Sequence, residues 1–328
     1  VTSTPLAKRL FARPEAGPAI LLIVLIVVFT AINPAFLSVQ NVSNLLAFSV
    51  ELGLIALAMT LLMTGGEFDL SVGSLFGLTP VLMWALFNSG ATSLFLAFLV
   101  AMAVAGVIGW VNGWFVTALK IPSFLVTLGM LLVARGTALY ITDGFPQRTW
   151  SADGEWVASV LVGSFQAGPL RIYMSLFWFV FFAVALHYVL TKTRTGNWIQ
   201  AAGGNPGAAI ARGVNVKRTK IGLFMLSSML SGFAGIISSI RTSAANPNSG
   251  TGYELEVIAM VVIGGTALSG GRGTIIGTVI GIFILRLMRN GIVMIGVPGL
   301  AYNIFIGAII LAMMALHSWL DRRNQSGG

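Results

Sequence analysis

The chain has no cysteine among its 328 residues, and ten Asp and Glu stand against nineteen Lys and Arg. The first absence excludes disulfides, thiolate metal sites and cysteine nucleophiles. Two histidines, His187 and His317, lie far apart and form no metal or proton-relay cluster. The nearest glycine runs, GGNPGAA and GGRGTIIG, lack the Lys-Ser/Thr pair in register that a phosphate-binding loop requires. No set of His and carboxylates falls at catalytic spacing. These gaps argue against an enzyme buried in the membrane and against nucleotide hydrolysis by the chain itself.

Charge of either sign is scarce. Charged residues make up 9% of the chain and hydrophobic ones 56%, with a mean hydropathy of +0.91. One soluble core cannot hide that much apolar surface, so the fold class is all-α, a polytopic membrane protein. In a soluble chain the net charge of +9 would suggest nucleic acid. Here the basic residues collect at the edges of apolar runs, where they orient helices and meet anionic lipid.

A hydrocarbon core takes about 20 apolar residues per helix, and division at the polar and Gly/Pro interruptions gives about ten spans. They fall near 17–37, 44–64, 70–88, 93–118, 123–141, 171–190, 220–240, 255–269, 273–296 and 299–319. The expected organisation is a single transmembrane domain over 1–328. Residues 1–16 form a basic cytoplasmic tail without a signal-peptide pattern, and 143–170 an external loop containing Asp153 and Glu155. Residues 191–220 form a long cytoplasmic loop.

That loop carries Lys192, Arg194, Arg212, Lys217, Arg218 and Lys220 with no acid among them. With both termini inside, thirteen of the nineteen Lys and Arg fall on the inner side. Arg148, Arg171, Arg241, Arg286 and Arg289 fall toward the outer edge and Arg135 within a span. Arg286 and Arg289 are the weakest point of this orientation. Within the loop, Ala201 to Pro206 reads as a tight turn leading into a short helix, with Asn205 as its N-cap, Pro206 in its first turn and Gly213 at its end. A small-residue helix exposed there suits docking by a soluble partner.

Ionisable residues in or beside apolar spans are costly unless partnered. Glu51, Glu67, Asp69, Arg135, Glu254 and Glu256 are in that position. Only Glu51 sits well inside a span. Glu67 and Asp69, with Ser71 close by, are expected to cap and brace the start of the third span. Glycines at 106, 109, 113, 129, 273, 277 and 281 are expected to be helix-packing positions. GGEFDLSVG (65–73) and GGTALSGGRG (264–273) echo each other, as internal repeats of transporters do.

Four blocks carry a family resemblance: TGGEFDLSVGS (64–74), NGWFVTALKIPSFLVTLGMLLVARG (112–136), AAGGNPGAAIARGVNV (201–216) and VVIGGTALSGGRGTIIGTVIG (261–281). They resemble the membrane permeases of bacterial ATP-binding cassette importers for ribose, xylose and arabinose-type sugars, related to branched-chain amino acid permeases. The resemblance implies a type II importer-like permease in the bacterial inner membrane, paired with a second permease, identical or related. It further implies two cytoplasmic ATPase subunits, a periplasmic sugar-binding protein, and neither cofactor nor metal. In such systems a coupling helix in the central loop docks on the ATPase. That places Gly203, Gly204, Asn205, Ala208, Ala209 and Gly213 at the contact, with Arg212 available to pair with acids on the partner. One departure is the acid Glu67, where the family commonly has a second Gly. Asn112, Phe124 and Asn303 are the candidates for the translocation pathway, and Glu51, Glu67, Asp69 and Ser71 for structural or gating roles. The alternatives are an ion-coupled secondary carrier, or a permease of the same family for a sugar alcohol or a furanone signal.

Overall fold

The computed structural model describes residues 15–149 and 155–298, with 301, 304, 305, 307, 308 and 311. Helix α1 (Ala16–Ile32) ends at Asn33, whose side chain accepts from the Ala35 N–H and opens a 3-10 turn over Pro34–Leu37. Ser38 then caps α2 (Val39–Thr64) through the Asn41 N–H. Helices α3 (Val72–Asn88), α4 (Leu94–Ala118) and α5 (Ser123–Thr142) follow. A small extramembrane group comes next: β1 (Gln147–Arg148), α6 (Trp156–Val162) and a hairpin of β2 (Ser164–Ala167) and β3 (Leu170–Tyr173). Helix α7 (Met174–Lys192) leads to α8 (Arg194–Gly204) and α9 (Pro206–Ala211), and then to α10 (Val216–Thr242). The strand β4 (Ala244–Ala245) pairs antiparallel with β1, and α11 (Tyr253–Ile263) and α12 (Ile275–Met294) close the described fold.

Among the described residues, six helices are long and apolar enough to cross a membrane: α2, α4, α5, α7, α10 and α12. α1 and α3 are shorter apolar helices of 17 residues each. The expected span 255–269 stops early, because α11 ends at Ile263 before Gly264 and Gly265. The expected span 299–319 lies largely outside the described residues. The segment expected to be an external loop, 143–170, holds a strand, a helix and most of a hairpin among its described residues, and the hairpin also takes up 171–173 from the expected sixth span.

α2 is the centre of the bundle. From Ser49 to Thr64 every residue is buried, as a helix apolar on all sides requires. The outer helices instead expose apolar side chains, such as Ile23 and Val27 on α1 and Leu132 and Val133 on α5, where acyl chains would cover them. α10 packs through small residues. A Cβ on Gly109 of α4 would meet the Met225 Cα at 2.7 Å, and one on Gly113 the Ile221 Cα at 2.7 Å. Ser231 donates to the Val72 carbonyl, and the Trp84 indole N–H to the Ser239 hydroxyl at 3.0 Å. Gly129 differs from its expected role within this chain, since among the described residues nothing lies within 4 Å of its Cβ position.

Both Gly-Gly turns end a helix in the same way. Gly66 (φ +80°) donates to the Met63 carbonyl at 2.9 Å and Glu67 to that of Leu62 at 3.1 Å. Gly265 (φ +92°) donates to Val262 at 2.9 Å and Thr266 to Val261 at 3.2 Å. This left-handed glycine cap satisfies carbonyls that would otherwise be orphaned at membrane depth. The echo between the two sequence segments therefore corresponds to a repeated helix break.

A paired substitution checks the packing. Gly235→Ala, whose Cβ would press on the Phe76 carbonyl group, is expected to destabilise the bundle by about 1–3 kcal/mol. Gly129→Ala should be neutral or slightly stabilising. Thermal unfolding of both variants in nanodiscs reads the difference.

Candidate functional site

The central loop is more helical than its sequence suggests. Ala201 to Gly204 continue α8, so the expected turn contracts to Asn205 alone, with φ −153° and ψ 90°. The Asn205 side chain accepts from the Ala208 N–H at 3.0 Å, and Pro206 occupies the first turn of α9, where its missing N–H costs nothing. Gly213 (φ +82°) ends the helix, with Val214 donating to the Ala209 carbonyl at 3.0 Å. Gly204, Asn205, Ala208, Arg212 and Gly213 are exposed, Gly203 is partly buried and Ala209 is buried. α9 thus rests on the bundle through Ala209 and presents Ala208 and Ile210 outward.

The end of α8 is held by a backbone-to-backbone junction. A Cβ on Gly203 would overlap the Thr64 carbonyl oxygen and come within 2.7 Å of the Gly271 nitrogen. One on Gly270 would lie 2.9 Å from both the Gly203 oxygen and the Gly66 Cα, and one on Gly271 2.8 Å from the Gly204 Cα. The Gly271 N–H donates to the Thr64 carbonyl at 2.8 Å. Three chain segments therefore meet here: the end of α2, the end of α8 and the loop after α11. Glu67 forms an ion pair with Lys220 at the start of α10, with both side chains largely buried. Its partner is on α10, and α3 starts without a side-chain cap hydrogen bond, so Glu67 braces the turn against α10 and does not cap α3 as expected.

Asp69 is fully buried and accepts from the Ser71 N–H at 2.9 Å. The Ser71 hydroxyl in turn accepts from the Asn112 amide at 3.1 Å, which joins the connector before α3 to α4. Asn112 is fully buried in that network, and Phe124 is exposed on the surface of α5. The structure does not bring these two together, and Asn303 lies outside the described residues. Arg135 of α5 donates to the carbonyls of Pro247, Ser249 (2.8 Å) and Gly73 (3.2 Å), pinning the segment before α11.

At the opposite end of the bundle a cavity of about 500 Å³ opens between α2, α10, α11 and α12. Glu51 reaches it, paired with Arg241, whose guanidinium lies 4.2 Å from the centroid of the Phe48 ring. The Asn41 and Asn290 side chains exchange amide hydrogen bonds of 3.0 and 2.9 Å. Arg286 and Arg289 each lie 3.9 Å from the Glu256 carboxylate. Of these residues, the sequence singles out Glu51 and Glu256 as ionisable groups in or beside apolar spans, and Glu51 alone as a structural or gating candidate. A signal for Arg286 and Arg289 lay in the charge pattern, whose weakest point they are; Arg241, like Arg148 and Arg171, falls toward the outer edge. Among the described residues, no group of three or more His, Cys, Asp or Glu is placed to hold a metal.

Over residues 41–314 the chain matches the family described as "Branched-chain amino acid transport system / permease component". It is 35% identical over 328 residues to the ribose import permease protein of Escherichia coli (strain K12), covering 99% of each chain. It is 34% identical to the galactose/methyl galactoside import permease protein of the same organism, covering 93% of this chain and 94% of that one. The E. coli xylose transport system permease protein is 32% identical, with 93% of this chain and 91% of that one covered. No solved structure matches.

The junction makes a residue-level prediction. Gly203→Ala should loosen residues 201–213, seen as faster amide hydrogen exchange there. Gly204→Ala, whose Cβ meets only the Gly271 Cα at 3.6 Å, should leave exchange unchanged.

Proposed function

We propose, for a chain that belongs to the branched-chain amino acid transport system / permease component family, that it is the permease subunit of an ATP-driven importer for a monosaccharide or similar small polyol. The named cargoes of its relatives, ribose, galactose and xylose, support the sugar class. The observation that carries the coupling mechanism is the junction of Gly66, Gly203, Gly204, Gly270 and Gly271, which seats an exposed helix pair directly on both helix breaks.

In this reading the whole chain is one transmembrane domain of about ten spans, of the type II importer kind, in a bacterial inner membrane. The basic loop and both termini face the cytoplasm, as the Lys and Arg distribution favours. Two such permeases, identical or related, sit on two ATPase subunits that hydrolyse ATP, and a periplasmic binding protein delivers the sugar. The chain itself is non-catalytic. Ala208 and Ile210 are the exposed apolar surface of α9, with Arg212 beside them to meet acids on the ATPase.

Coupling follows from stiffness. Where the end of α8 meets the two breaks, at Gly203 and Gly204, no side chain lies between the backbones to absorb a displacement, so motion of the docked loop is passed there to α2 and to the α11–α12 break as a rigid body. Among the described residues, α8, α9 and the Glu67–Lys220 pair lie on the route from the docked loop to the bundle.

Ala208→Trp tests this. The variant should insert and fold, hydrolyse ATP in complex with its ATPase, and lose both sugar uptake and sugar stimulation of hydrolysis. Unchanged uptake and stimulation would remove α9 from the contact.

A further inference from the structure

We propose that Asp69, Asn112, Ser227 and Ser228 hold one monovalent alkali cation inside the bundle, where the connector before α3 meets α4 and α10.

The carboxylate sets the problem. Asp69 has no exposed surface, and among the described residues no Lys, Arg or His forms an ion pair with it. An ionised acid within an apolar bundle is costly without a counter-charge. Its Oδ1 accepts from the Ser71 N–H at 2.9 Å and from the Ser71 hydroxyl at 2.5 Å, while its Oδ2 is buried with no hydrogen-bond partner.

Ser71 fixes the second oxygen. Its one hydroxyl hydrogen goes to Asp69, so from Asn112 it can only accept, and the Asn112 amide nitrogen must face it at 3.1 Å. The Asn112 Oδ1 is thereby turned away from Ser71, and it too is buried with no hydrogen-bond partner. α10 brings two more. Ser231 donates to the Val72 carbonyl, and Ser227, one turn earlier on the same face, stands within reach of the Asp69 carboxylate. Ser228 meets α4 at Gly109, one turn before Asn112, where a Cβ would come 2.8 Å from the serine oxygen. Both serines are fully buried, and neither hydroxyl has a hydrogen-bond partner.

Four unpartnered oxygens and one uncompensated negative charge therefore share this part of the core. A proton on Asp69 would serve Oδ2 and one neighbour and leave two oxygens as they are. One cation serves all four and cancels the charge. The donor set selects its kind, because carboxylate, carboxamide and hydroxyl oxygens are hard ligands that suit no soft metal. A single acid balances a single positive charge, whereas a divalent ion would leave one in excess. The bound ion would tie the connector to α4 and α10, about 10 Å along α10 from the Glu67–Lys220 pair.

The permease is unfolded by heat in nanodiscs, with NaCl or KCl replacing choline chloride stepwise at constant ionic strength and pH. At least one of the two salts should raise the melting temperature. Asp69→Asn should abolish that rise. Ser71→Ala removes the residue that positions both the acid and the amide, so stabilisation should set in at an about tenfold higher cation concentration. Ser89→Ala, at an exposed position, should leave the onset where it is in the wild type. Should Asp69→Asn not fold, the shift in Ser71→Ala decides alone. Equal melting temperatures in all three salts overturn the proposal, as does an onset unchanged by Ser71→Ala. Stabilisation by mild acid in choline chloride, with none from either alkali salt, overturns it in favour of a proton on Asp69.

Discussion

Five glycines with nothing between them hold the two ends of the account together. Gly66, Gly203, Gly204, Gly270 and Gly271 bring three distant chain segments into backbone contact at the end of the bundle that carries the basic loop. Each helix that stops there would leave carbonyls unsatisfied in an apolar setting, and the left-handed glycine caps and the Gly271 to Thr64 hydrogen bond meet that demand. A side chain at Gly203 would push the loop off both breaks at once.

Three continuous helices link this junction to the polar cavity at the other end. α2 runs from Glu51 to Thr64, about 20 Å at the usual rise per residue. α10 runs from Lys220, paired with Glu67, to Arg241, paired with Glu51, about 30 Å. α12 runs from the glycine loop toward Arg286 and Asn290. An ion pair thus fastens α10 to the α2 side at each end. Stiff elements therefore connect the loop to the cavity.

The sequence made some of this readable and hid the rest for identifiable reasons. Asn205, Pro206 and Gly213 act locally, so their cap and stop were legible from residue type alone. Composition and long apolar runs disclosed the membrane class. The partner of Glu67 is 153 residues away and that of Glu51 is 190 away, beyond what periodicity can report. Asn112 is a pathway candidate by sequence because a sugar route needs polar lining, and its bond to the buried Ser71, 41 residues away, is likewise beyond what periodicity can report. The two Gly-Gly turns looked alike in sequence for a good reason, since both form the same cap, but that they meet at Gly203 depends on topology. Glu67, the departure from the family pattern, is the residue that ties the turn to α10.

The central claim is that the loop and the two helix breaks move as one piece. Spin labels at Asn197→Cys and Leu268→Cys, both exposed positions outside the proposed docking surface, report the distance between α8 and the loop after α11 in the assembled importer. A second pair, Asn197→Cys with Tyr140→Cys at the far end of α5, reports motion across the bundle. On ATP binding the first distance should stay fixed while the second changes. A first distance that changes as much as the second would mean that the junction slips, and that the loop does not drive the bundle.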